Sequence, residues 1–129
     1  FCGSCHVMTP FVEGLKAGES PALAALHVQH HWIREKSCYT CHTNYDILGG
    51  VDAKIRGLRH LYAYYTNPEG KKPKLYQPFS NLQCLTCHTG AKSFEESPTH
   101  MGMMEEIRGD QFSCLDCHGP AHAEYEVPE

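Results

Sequence analysis

Hydrophobic and polar positions recur at helical spacing in three places along the chain, and no strand pattern stands out. From Pro21 to about Lys36, Leu23, Leu26, His27, His30 and His31 recur every three or four residues and so share a face or its edge. Ala22, Ala24 and Ala25 add helix propensity, and Ser20-Pro21 supplies a start, with serine as N-cap and proline at the first helical position. From Val51 to Tyr65, a second helix carries Val51, Ile55, Leu58, Tyr62 and Tyr65 on one stripe, with Gly57 a weak point and His60 off the stripe. A third helix opens at Ser97-Pro98, carries His100, Met101, Met104 and Ile107, and stops near Gly109. The remainder is punctuation. A short stretch after Pro10 is broken by Gly14 and Gly18, Gly49-Gly50 marks a turn, Asn67-Pro68-Glu69-Gly70 ends the second helix, and Lys71 to Pro78 forms a loop. The expected architecture is short α-helices and loops with little or no β-sheet.

Between these elements one pentapeptide, Cys-x-x-Cys-His, occurs four times: Cys2 to His6, Cys38 to His42, Cys84 to His88 and Cys114 to His118. This is the attachment signature of c-type haem. The cysteines form thioethers to the porphyrin, and the histidine is placed to bind iron from one face. Zinc ribbons, thioredoxin-like pairs and disulfide frameworks also use paired cysteines, but none requires histidine directly after the second one. Four copies imply four covalent haems, attached through Cys2, Cys5, Cys38, Cys41, Cys84, Cys87, Cys114 and Cys117. No cysteine is left over.

At 129 residues the chain is one domain by length. About 32 residues per haem are too few for separate cores, so the macrocycles must supply much of the apolar interior. A compact chain of this size has a radius of gyration of about 14 Å, which makes four haems close neighbours and suits electron relay. Each apparent half holds a haem motif, a Glu-Ser-Pro helix start (Glu19 to Pro21; Glu96 to Pro98), a helical histidine, a second motif and a trailing histidine. That shared order points to duplicated dihaem halves at about 1–66 and 79–129. The formal charge of −4, made more negative by haem propionates, argues against nucleic acid as a partner. No apolar run reaches 18 residues. Haem c is attached outside the bacterial cytoplasmic membrane, which implies a periplasmic or extracellular location; a leader or membrane anchor would lie upstream of Phe1.

The second axial position of each iron sets its chemistry. With His6, His42, His88 and His118 assigned to the motifs, His27, His30, His31, His60, His100 and His122 remain. Bis-histidine ligation is expected, with His27, His60, His100 and His122 as the distal set, one in each interval after or between motifs. His30 and His31 are alternates to His27, or ligands of another haem or of a propionate. Met8, two residues after His6, starts on the same side of the first haem; it either replaces His6 or packs on the porphyrin. Met101, Met103 and Met104 are expected to pack within their helix. Tyr62, Tyr64, Tyr65 and Tyr76 are expected against haems. Lys71, Lys72 and Lys74 form either a solvated surface or a docking patch for an acidic redox partner.

These features resemble the NapC/NirT/NrfH family of tetrahaem cytochromes. The resemblance rests on Cys2-Gly3-Ser4-Cys5-His6-Val7-Met8, on His27 eleven residues before Cys38, on the lysine- and histidine-bearing stretch Lys54 to His60, and on Cys114 to His118 followed by Ala121-His122. It implies a carrier that takes electrons from membrane quinol and hands them to a periplasmic reductase, with the first haem as the entry point. The family's N-terminal membrane helix would lie upstream of Phe1. The acidic residue that some members place between the helix lysine and its histidine is absent here, so Asp46 or Asp52 would take the proton-accepting role. Besides a relay between redox proteins, two other functions fit the motifs: a small multihaem enzyme acting at an open first haem, and a homo-oligomeric wire of stacked copies.

Overall fold

The computed structural model describes residues 2–18, 20–45, 47–66 and 79–123. Among these residues the chain is helical, with no strand. Two 3₁₀ turns, Cys2–Ser4 and His6–Met8, lead into α1 (Thr9–Lys16). α2 (Leu23–Gln29), α3 (Ser37–Cys41), α4 (Gly49–Thr66), α5 (Leu82–His88), α6 (Lys92–Glu95), α7 (Pro98–Met101), α8 (Met104–Arg108) and α9 (Cys114–His118) follow. The turn expected at 67–70, the lysine loop with Lys71, Lys72, Lys74 and Tyr76, and also Glu19 and Asp46, lie outside the described residues.

Three helical expectations are corrected. The stretch after Pro10 is a helix that runs through Gly14: proline in its first turn needs no hydrogen-bond partner, and α1 packs on α2. The helix expected over 21–36 is only Leu23–Gln29. Its N-cap is Ala22 rather than Ser20, because the first free N–H groups find partners elsewhere: Leu23 and Ala24 donate to the carbonyls of Pro120 and Ala121 at 3.1 and 2.9 Å. It ends where Trp32 and Ile33 both donate to the His27 carbonyl, at 3.0 and 3.1 Å, which forces His31 into the left-handed region at φ 57°. The third predicted helix does begin at Ser97-Pro98, but it splits at Gly102-Met103 into α7 and α8. The Val51 to Tyr65 helix is present, but Gly49 and Gly50, expected as a turn, are its first two residues in Gly49–Thr66.

The apolar core is small. Among the described residues its buried members are Ala22, Ala25, Phe94 and Ile107, while Trp32, Ile47, Leu58, Tyr62 and Tyr65 are exposed. A chain with so little buried aliphatic volume depends on cross-links or a prosthetic group for stability. No helix among the described residues is long and apolar enough to cross a membrane.

Candidate functional site

Three of the four motifs fold as one helical turn or little more. α5 and α9 contain theirs whole, and α3 contains Cys38 and Cys41 with His42 as C-cap. Residues three and four apart are neighbours on a helix, so each cysteine pair and its histidine lie on one side of the turn. Asp116, inside the fourth motif, has a local task. Its carboxylate accepts from the Ser113 N–H at 3.0 Å while the Ser113 hydroxyl accepts from Leu115 N–H at 3.2 Å, a reciprocal cap that starts α9 at Cys114. The first motif is different, built on 3₁₀ turns with His6 exposed and Met8 half-buried.

The motifs meet in succession. Cys38 lies in the field of Cys2, Cys41 in that of Cys87, and Cys84 in that of Cys114. Burial, reinforced by these neighbouring thiols, raises Cys38 and Cys41 and pushes Cys84 up to about 12. None of the eight cysteines forms a disulfide. Among the described residues no three metal-binding side chains cluster as a zinc ribbon would require.

The histidines instead gather in twos. His27 faces His88 with ring centres 6.1 Å apart, His42 faces His122 at 6.0 Å, and His100 faces His118 at 6.0 Å. The ring planes cross at 84°, 12° and 48° respectively. Each pair joins one motif histidine to one non-motif histidine. A metal–imidazole bond is about 2 Å long, so two rings on opposite sides of one metal have centres about 6 Å apart. All three pairs fit that span. A direct ring–ring contact would favour a particular tilt. One separation with three unrelated tilts is what a shared metal atom would impose, because each ring could turn about its own metal–nitrogen bond. The donor set therefore fits haem: thioether-forming thiols beside one imidazole, and a second imidazole opposite.

Backbone contacts hold the non-motif rings. His27 Nδ1 lies 2.7 Å from the Leu23 carbonyl and His100 Nδ1 lies 2.9 Å from that of Phe94. A carbonyl oxygen can only accept, so Nδ1 carries the proton and Nε2 keeps the lone pair a metal needs. Phe94 also packs on the His100 ring, with centres 4.7 Å apart. His122 is positioned by the α2–tail hydrogen bonds, and Phe11 packs edge-on against it at 5.2 Å. Burial lowers the pKa of His42, His88 and His122; the neighbouring His122 and His60 add to the effect at His42, and His27 and His118 at His88.

The other candidates lie elsewhere. His60, lowered by burial, is half-buried on α4 near His42. His30 stacks on Trp32, ring centres 4.7 Å apart, and His31 sits at the left-handed turn. Among the described residues no ring contact joins His6 to another histidine. Asp52 is engaged locally: it pairs with Arg56 at 2.7 Å and accepts from Asn44 at 3.1 Å.

Two residues that hold the site together escaped the sequence reading. Asn81 is buried at 2% exposure. Its Nδ2 donates to the carbonyls of Ile107 and Phe112 at 2.8 and 2.6 Å, and its Oδ1 accepts from Cys114 N–H at 2.9 Å. Asp110, at φ 55°, accepts from Asn81 N–H at 2.6 Å and from the Ser80 hydroxyl at 2.7 Å. Together they clamp the third motif to the fourth. The sole sequence signal is that asparagine and aspartate favour caps and turns.

Neither a family model nor a solved structure matches the chain. Two curated proteins do: the cytochrome c-type protein TorC of Escherichia coli strain K12 and its counterpart in Escherichia coli O157:H7. Each is 25% identical over a 140-residue alignment that covers 95% of this chain. The chain spans about a third, 34%, of each relative's length. The four Cys-x-x-Cys-His motifs, the helical architecture of the described residues and this similarity together support a distant relation to c-type cytochromes.

Proposed function

We propose that the chain is a tetrahaem c-type cytochrome that relays single electrons between redox proteins. The observation that carries this reading is the set of three histidine pairs at one common separation, each joining a Cys-x-x-Cys-His motif to a distant histidine. Cys38/Cys41, Cys84/Cys87 and Cys114/Cys117 would hold three haems, whose irons would be bound by His42 and His122, His88 and His27, and His118 and His100. Cys2, Cys5 and His6 would hold the fourth. When bound, the haems supply the one-electron chemistry. The chain attaches them, presents neutral imidazoles through Nδ1 hydrogen bonds, and keeps neighbouring centres close through the Cys2/Cys38, Cys41/Cys87 and Cys84/Cys114 contacts. Two histidines holding one iron would leave it no open position, which favours electron transfer over bond-making chemistry at those three centres.

The location that goes with this reading is the periplasmic or extracellular side of the membrane, where haem c is attached. The NapC/NirT-like features would make the first haem the entry point from a membrane quinol. A second reading, small-molecule chemistry at that haem, draws on the exposed His6 and the adjacent Met8. Mass spectrometry of the protein from a host able to attach haem c tests the proposal. The expected mass is the chain plus four haems, with no thiol alkylated after denaturation. Fewer than four attached haems, or any alkylatable thiol, would refute the tetrahaem reading.

A further inference from the structure

Asp110 does more in the fold than close a turn. Its Oδ1 accepts from the Asn81 N–H at 2.6 Å and its Oδ2 from the Ser80 hydroxyl at 2.7 Å. Asn81 in turn accepts from two attachment motifs at once. Its backbone carbonyl takes the Cys84 N–H and its Oδ1 takes the Cys114 N–H, each at 2.9 Å. One residue therefore separates a carboxylate from the first cysteine of the third motif and from the first cysteine of the fourth. The turn that carries it is fixed from behind, with the Gln111 N–H donating to the Glu106 carbonyl at 2.9 Å. Among the described residues no cation forms a salt bridge with Asp110.

The field of this carboxylate reaches both sulfurs. Burial is the first cause that raises the Cys84 and Cys114 thiols, and Asp110 adds to it at each. Among the described residues no carboxylate acts in this way on Cys38 or Cys41. In the relay reading the same sulfurs are thioether atoms at the rims of two porphyrins, so a charge that reaches them reaches two haems. Ferric haem carries one more positive charge than ferrous haem, and a neighbouring carboxylate favours the ferric form.

We propose that Asp110 is a tuning residue shared by two centres: its carboxylate lowers the reduction potentials of the third and fourth haems together, and the second haem lies outside its reach. The inference rests on the relay reading and adds a direction to it. One charge acting on both centres leaves them matched to each other, while each becomes a weaker electron acceptor than it would be without Asp110.

The test is a potentiometric titration of the haem-loaded protein followed by EPR. The angle between axial rings sets the anisotropy of a low-spin ferric signal, so the 84°, 48° and 12° pairs mark the third, fourth and second haems. Asp110→Asn removes the charge and keeps the size of the side chain, and asparagine is among the residues best suited to the left-handed backbone at φ 55°. A unit charge about 10 Å from a one-electron centre shifts its equilibrium about tenfold at an effective dielectric of about 20, and solvent screens part of that. The third and fourth signals should therefore move to higher potential by about three- to tenfold in the reduction equilibrium, up to about 59 mV, and the second should stay. Gln111→Lys, which sets a cation beside the carboxylate, should raise the same two potentials, and it carries the test should Asp110→Asn load haem poorly. Ser80→Ala removes one hydrogen bond to Asp110 but keeps the charge, and should leave all the potentials in place. Third and fourth potentials that change less than about 1.5-fold in equilibrium would overturn the proposal. So would an equal rise at the second haem, or the same rise with Ser80→Ala, which would make the effect one of turn packing. A parent protein with no reversible one-electron transition would instead defeat the relay reading.

Discussion

Replacing Asn81 by alanine isolates the clamp between the third and fourth motifs. The side chain makes three hydrogen bonds from a site only 2% exposed, to the carbonyls of Ile107 and Phe112 and from the amide of Cys114. An unpaired buried polar group costs about 1–3 kcal/mol. The three costs do not add in full. The Ile107 carbonyl keeps a weaker bond from Asp110 N–H at 3.3 Å, and the Asn81 backbone bond to Asp110 survives the change. A loss of about 2–4 kcal/mol follows. With a urea m-value of about 2 kcal/mol per molar, the unfolding midpoint should fall by about 1–2 M. The assay is urea unfolding of the haem-loaded protein, followed by both Soret absorbance and far-ultraviolet circular dichroism. Thr66→Ala, which removes an exposed bond to the Tyr62 carbonyl, serves as the control and should cost no more than about 0.5 kcal/mol. An Asn81→Ala midpoint within about 0.3 M of the parent, at unchanged m, would show that the clamp does not hold the two motifs together.

Two further predictions follow from the histidines. Near-perpendicular axial imidazoles leave two iron d orbitals almost degenerate, whereas near-parallel rings split them. The 84° pair His27–His88 should therefore give a strongly anisotropic low-spin ferric EPR signal, and the 12° pair His42–His122 an ordinary rhombic one; His27→Ala should remove the first and leave the second, and a spectrum with one uniform rhombic species would contradict these pairings. In the haem-loaded protein iron would hold His42, His88 and His122 unprotonated, and burial places His60 below the ordinary imidazole value of about 6.5 in the folded state. As pH falls through that value, the unfolded chain takes up protons that the folded chain refuses, so stability held above about pH 6.5 declines towards the lower folded pKa values; urea midpoints at pH 7.5, 6 and 5 should fall in that order, and a rise on acidification would reverse the sign of the linkage.

The Cys-x-x-Cys-His motifs, the helix over Val51 to Tyr65 and the Ser97-Pro98 start can all be read from the chain, because each depends on residues within one or two helical turns. A cysteine pair with a following histidine carries its chemistry in its own spacing. So does the Ser97-Pro98 start, whose proline has no N–H to leave unpaired, whereas the same dipeptide at Ser20-Pro21 does not open α2. The histidines outside the motifs are equally visible as candidates, but not their partners. His27 precedes the second motif and faces the third, and His122 follows the fourth and faces the second.

Those choices belong to the packing. The α2 helix starts at Leu23 because the Leu23 and Ala24 amides bind carbonyls at Pro120 and Ala121, and that same union carries His122 across to His42. α2 stops at Gln29 because two later amides turn back onto the His27 carbonyl, a contact that also swings Trp32 to the surface. Asn81 is an ordinary turn-forming residue until Ile107, Phe112 and Cys114 surround it. Local spacing determines which residues are able to bind; contacts between segments far apart in the chain decide which of them face each other, since hydrogen bonds of that kind have no periodicity to leave in a sequence.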